Sequence, residues 1–129
     1  TVHDVRPVLT PEELRWLQLE VRRTFISDGV LDFALGVVSA TRSHQHVRIG
    51  ASPRASLSML HCCQARALLA GRNYVTPDDV KQLAPSTLGH RIVLTADAPS
   101  VYLSQPTAAS GGAGVVQEVL ASLPVPLHG

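Results

Sequence analysis

One arginine of this chain falls where a helix ordinarily prefers an anion. In Gly50-Ala51-Ser52-Pro53-Arg54-Ala55, Ser52 has the side chain of an N-cap, and Pro53 suits the first helical position because its missing N–H costs nothing there. Arg54 is then the second helical residue, beside the positive end of the helix dipole and several N–H groups without intrahelical acceptors. A cation at that point is unfavourable by roughly 0.3–1 kcal/mol. An incoming anion reverses the sign, since guanidinium and helix terminus then act on one charge. From these six residues alone a solvated arginine is the simpler account and an anion site the sharper one.

Other reactive side chains are less suggestive. Cys62 and Cys63 are adjacent in a helical context, where neighbours point about 100° apart and an ordinary disulfide would be strained. Buried or half-buried free thiols are expected, in keeping with a reducing cytoplasm. His61 precedes them, but consecutive helical residues cannot converge on one ion. His44-Gln45-His46 offers two metal ligands without a third nearby in sequence, so no metal site is assigned. The G-x-x-x-x-G-K-[ST] phosphate loop is absent, and the only lysine, Lys81, lies in a predicted helix. Ser110-Gly111-Gly112-Ala113-Gly114 has no lysine and no preceding strand. No G-x-S-x-G nucleophile turn occurs, and no acid pair is set for proton transfer. By itself the chain is not equipped as an enzyme.

The elements that must position Arg54 are helices. At 129 residues with 45% apolar and only 4% aromatic content, the chain builds one core from Leu, Val and Ala, which favours packed helices over a sandwich. Thr10-Pro11-Glu12-Glu13 is a capping box with Leu14, Leu17 and Val21 following on one face. A second helix starts near Ser27 or Asp28 and carries Val30, Leu31, Ala34, Leu35, Val37 and Val38. Ser52 opens the third, with Leu57, Leu60, Cys63, Ala67 and Leu68 inward and a stop at Gly71. Thr76-Pro77-Asp78-Asp79 is a second capping box, leading into Val80, Leu83, Ala84 and Leu88. Residues 104–114 have the composition of a flexible loop. A short helix with Val116, Val119, Leu120 and Leu123 follows and stops at Pro124 and Pro126. The expected fold is all-α, a bundle of four main helices plus a short C-terminal one. No strand is predicted, although Arg91-Ile92-Val93-Leu94 could be extended. No apolar run approaches the ~20 residues of a membrane span. The start at Thr1 and the extended character of residues 1–10 suggest a linker from a larger chain, with the helical domain over 11–127.

Net charge is only +1, but its distribution is uneven. No acidic residue falls between Asp32 and Asp78, a stretch that carries Arg42, Arg48, Arg54, Arg66 and Arg72 with His44, His46 and His61. Either this is an anion-facing surface, or acids from other helices neutralise it.

Three ordered motifs, G-A-S-P-R-A at 50–55, G-R-N-Y-V-T-P-D-D-V at 71–80 and L-G-H-R-I-V-L at 88–94, resemble the C-terminal lid domain of MoxR-type AAA+ ATPases. Ala40-Thr41-Arg42 and Pro124-Val125-Pro126 are similar to that family too, so the likeness runs over about residues 8–126. Loop 104–114 and His61-Cys62-Cys63-Gln64 depart from it. The resemblance implies a helical lid that closes over ATP and Mg held by a separate P-loop domain N-terminal in the same chain. It matches Arg54 to the sensor 2 arginine that reaches the terminal phosphates, with Gly50, Ser52 and Pro53 positioning it. It further implies a cytoplasmic, hexameric ring acting like a chaperone in remodelling or metal insertion, with von Willebrand A domain proteins among the partners. Arg42, Arg72, His90 and Arg91 fall in these motifs without individual roles, and ion pairs or subunit contacts suit them. The competing expectation is a free-standing module that binds nucleic acid or an acidic protein through the basic stretch. A pI of about 7.9, near-absence of lysine and no helix-turn-helix pattern weigh against nucleic acid.

Overall fold

Four hydroxyl side chains start the four long helices. Thr10 Oγ1 accepts the Glu13 N–H at 3.1 Å to open α1 (Pro11–Arg22). Ser27 Oγ accepts from Val30 at 3.2 Å to open α2 (Asp28–Ser43). Ser52 Oγ accepts from Ala55 at 3.2 Å at the head of α3 (Pro53–Leu69), and Thr76 Oγ1 from Asp79 at 3.4 Å at the head of α4 (Pro77–Leu88). Each bond satisfies a first-turn donor that the helix itself cannot. The glutamate and aspartate of the two capping boxes reach back as expected, Glu13 to the Thr10 N–H at 3.1 Å and Asp79 to the Thr76 N–H at 2.8 Å. A fifth helix, α5 (Gly112–Ser122), completes the set. The computed structural model of the protein describes residues 1–102 and 111–127.

The core is aliphatic, as the composition requires. Val30, Phe33, Ala34, Val37 and Val38 of α2 meet Ala55, Met59, Cys63 and Ala67 of α3, Val80, Ala84 and Leu88 of α4, and Val115, Val116 and Val119 of α5. Helix α4 lies between α3 and α5. Helix α1 is different: it lies along α3 but buries no residue completely. Of its expected inward face, Leu17 and Val21 are half-buried and Leu14 is exposed. Leu57 is also exposed rather than inward, and Leu35 of α2 is exposed. Ala55, Ser56, Met59, Leu60 and Cys63 take the core-facing side of α3, and Leu57 falls outside that stripe.

Two short strands tie the bundle together, one absent from the sequence prediction and one inside the stretch 91–94 that it left open as extended. Val47–Ile49 (β1) pairs antiparallel with Val93–Leu94 (β2), with an irregularity between Val47 and Ile49. A parallel bridge also joins the α1–α2 link to the α3–α4 link, with Phe25 N–H on Asn73 O and Val75 N–H on Phe25 O, both at 2.8 Å. The expected loop at 104–114 is corrected at its C-terminal end. Gly112, Ala113 and Gly114 form the first turn of α5, after Gly111 with φ +76°. Glycine here serves close approach rather than flexibility, since a Cβ on Gly112 would lie 2.0 Å from Gly89 O. The rest of that segment lies outside the described residues. No helix among the described residues is long and apolar enough to cross a membrane.

Candidate functional site

Arg54 is the exposed second residue of α3, beneath the Ser52 cap and Pro53. Its side chain has no hydrogen bond or ion pair to any described residue. The chain leading to it is, by contrast, tightly held. Ala51 is fully buried, and both of its backbone groups are bonded to side chains from the last turn of α2. Its N–H donates to Thr41 Oγ1 at 3.2 Å, and its carbonyl accepts from Arg42 Nε at 2.9 Å. Thr41 is itself fixed, donating to Val38 O at 2.6 Å. Gly50 lies against α2 so closely that a Cβ would come within 2.6 Å of Arg42 Cγ and 2.7 Å of Arg42 Cα. The four expected site residues, Gly50, Ser52, Pro53 and Arg54, thus form one short presenting segment on a buried support. An exposed guanidinium beside the one first-turn N–H left unfilled, its own, suits a ligand with concentrated negative charge, such as a phosphate.

Three of the other four arginines of the basic stretch are already occupied, and the fourth, Arg48 on β1, is exposed without a hydrogen bond or ion pair to a described residue. Asp79, 0% exposed, accepts from Arg72 at 2.9 and 2.8 Å and from Arg66. Arg72 also donates to Tyr74 O at 2.8 Å. Burial pushes the Asp79 carboxyl up, but the bonds from Arg72, the Thr76 amide and Arg66 outweigh it and bring its pKa to about 2. Acids from another helix therefore do neutralise part of the stretch, as one of the two sequence accounts held. Arg42 serves Ala51.

The sequence model of the AAA lid domain family matches residues 39–108. The chain belongs to the AAA lid domain family. The lid is 33% identical over 127 residues to the uncharacterized protein YeaC of Bacillus subtilis, covering 98% of this chain and 38% of that one. It is 36% identical over 107 residues to the Mycobacterium tuberculosis chaperone MoxR1, covering 76% of this chain and 28% of that one. In three dimensions it resembles the crystal structure of a candidate ATPase from Cytophaga hutchinsonii, with a TM-score of 0.80 at 22% identity over 96% of this chain and 38% of the other. That last likeness speaks to fold alone. The likeness by sequence is to the MoxR type, and the lid spans well under half the length of each of these proteins.

Elsewhere in the lid, the motif residues His90 and Arg91 are exposed and contact one another, Arg91 Nε to His90 Nε2 at 3.3 Å. His44 turns to Glu118 of α5 at 3.3 Å, and Tyr102 donates to the same carboxylate at 2.5 Å. The bond from Tyr102, helped by His44, holds the Glu118 carboxyl below its usual range. Among the described residues no three of His, Cys, Asp and Glu are grouped to hold a metal. Both cysteines are free thiols, Cys62 exposed and Cys63 buried. Burial, with Asp79 nearby, pushes the Cys63 thiol up to about 12, which removes it as a nucleophile. Sequence reading missed two residues that matter to the geometry. Thr41 was legible only as part of Ala40-Thr41-Arg42; its hydroxyl at a core-facing helix position was the available signal. Asp79 reads in the sequence only as a capping acid, and nothing local indicates its two arginines.

Proposed function

We propose that this lid closes over ATP and Mg bound to a P-loop domain N-terminal in the same chain, and that Arg54 reads the terminal phosphates. The observation that carries this is where the free arginines lie: Arg42, Arg66 and Arg72 are engaged by protein groups, Arg48 is free on the short strand β1, and Arg54 alone of the five is free at a capped helix start. Phosphate oxygens match the donors available there, a guanidinium and a first-turn N–H. Gly50 lets the segment lie against α2, while Ser52 and Pro53 set the helix start, so Arg54 keeps its position relative to the bundle. Loss of the terminal phosphate on hydrolysis removes the charge Arg54 holds and releases the lid to rotate.

In this scheme the lid belongs to a cytoplasmic ATPase ring, a hexamer, that remodels partner proteins in the manner of a chaperone or in metal insertion, with von Willebrand A domain proteins as candidate clients. Residues 1–10 serve as the linker and 11–127 as the lid. The relative named a chaperone supports the general direction. The competing module that binds nucleic acid or an acidic protein gains little, because Asp79 has taken Arg66 and Arg72.

The test is ATP turnover by the full-length protein, wild type against Arg54→Ala, with folding followed by circular dichroism. The fold should persist, since an exposed first-turn side chain contributes little to the core. Turnover should fall roughly a hundredfold, the scale of losing one preorganised donor to developing charge. Undiminished turnover in the folded variant would remove the phosphate-reading role.

A further inference from the structure

We infer that Thr41 and Arg42 are positioning residues for Arg54, together forming a clasp on Ala51 that fixes where α3 begins relative to α2. The inference rests on the phosphate-reading role of Arg54 and adds to it the part of the fold that makes that role geometrically possible.

Both hydrogen-bonding groups of one backbone residue are engaged by consecutive side chains of one helical turn. Thr41 accepts from the Ala51 N–H at 3.2 Å and Arg42 donates to the Ala51 carbonyl at 2.9 Å. Because Ala51 is fully buried, leaving either group unmet would carry the full desolvation penalty of a buried polar group, so the chain has reason to keep this register. The absence of room for a Cβ at Gly50 seals the contact from the other side. Ala51 immediately precedes the Ser52 cap, and only Ser52 and Pro53 separate the clasp from Arg54. No other capped helix start among the described residues is held by side chains in this way. At the start of α4 the residue before the cap is held by backbone, Val75 N–H on Phe25 O at 2.8 Å, and side chains engage only its neighbours, Arg72 on Tyr74 O and Asp79 on the Thr76 N–H.

Arg42 needs only its Nε for this bond, and that atom is the third along the side chain beyond Cβ. Glutamine places an amide N–H donor at the same reach without charge, whereas methionine has the stem and no donor. Arg42→Met should therefore lower kcat for ATP about tenfold with KM little changed, a displaced group being costly to the chemical step. Arg42→Gln should recover most of that loss. A requirement for the charge of Arg42 itself, on phosphate or on a neighbouring subunit, would instead leave Arg42→Gln as slow as Arg42→Met and overturn the inference.

The deciding comparison is non-additivity, measured in the full-length protein with folding checked by circular dichroism. If the clasp acts through Arg54, Arg42→Met combined with Arg54→Ala should turn over ATP within about twofold of Arg54→Ala alone. Losses that multiply, or a single Arg42→Met variant at the wild-type rate, would overturn it while leaving the role of Arg54 intact. Thr41→Val, which keeps shape and deletes the hydroxyl, supplies the second arm and should show the same non-additivity. Wild-type turnover in Arg54→Ala would point to failure of the phosphate-reading role, and the clasp inference would fall with it.

Discussion

The starts of α3 and α4 are built from nearly the same parts and come out opposite. Each has a hydroxyl N-cap followed by proline, Ser52-Pro53 and Thr76-Pro77. At the third helical position α4 has Asp79, which bonds back to the Thr76 amide and gathers Arg66 and Arg72. The α3 start has the small, buried Ala55 there and Arg54 before it. One helix start is electrostatically complete within the protein, with its anion inside. The other sets a cation beside the positive end of the dipole, with no anion among the described residues to complete it. The lesson is that capping chemistry fixes where a helix begins, while the charge at the second and third positions determines whether that end closes on itself or faces outward.

The largest effect should come from opening the closed end. Asp79→Ala leaves the Thr76 amide without its acceptor and two arginines without their carboxylate, and should destabilise the lid by about 3 kcal/mol. A thermal melt followed by circular dichroism should fall on the order of 10 °C, and an unchanged melt would show that the node is dispensable. Acid should reach the same node without mutation. The Asp79 carboxyl is held at about 2 against an ordinary 3.8, so its stabilisation is fully present above pH ~4. It is lost as pH falls from about 4 towards 2, for a total of about 2 kcal/mol. Urea midpoints across that window should drop in wild type and stay flatter in Asp79→Ala. The smallest effect concerns the open end. Arg54→Glu puts an acid where the dipole favours one and should raise stability by about 0.5 kcal/mol while ATP turnover is lost. A destabilised Arg54→Glu protein would contradict the idea that the α3 start is electrostatically unfinished.

How far the sequence reveals all this depends on the range of the interactions. The caps at Thr10, Ser27, Ser52 and Thr76 are legible because donor and acceptor lie within four residues. Arg54 is singled out for the same local reason, and the ordered motifs then indicate the family. What a local pattern cannot show is pairing at a distance. The strand Val47–Ile49 has no partner until Val93–Leu94, and Asp79 binds an arginine 13 residues earlier, a separation with no helical or strand periodicity behind it. The glycine run at 111–114 misleads for a related reason. Its glycines accommodate Gly89 and Tyr102 across the fold, and composition alone cannot tell close approach from flexibility. Leu14 and Leu57 show the limit of periodicity, which identifies an apolar position without saying whether anything covers it.

The shallow seat of α1 has a spectroscopic consequence. Trp16, the only tryptophan in the chain, is 60% exposed on the one long helix that buries nothing completely. Its indole is therefore largely hydrated in the folded protein and nearly as hydrated in the unfolded one, so its emission is almost blind to the core. What that emission does register is the surroundings of α1, making this single ring a label, already in place, for whatever covers that face.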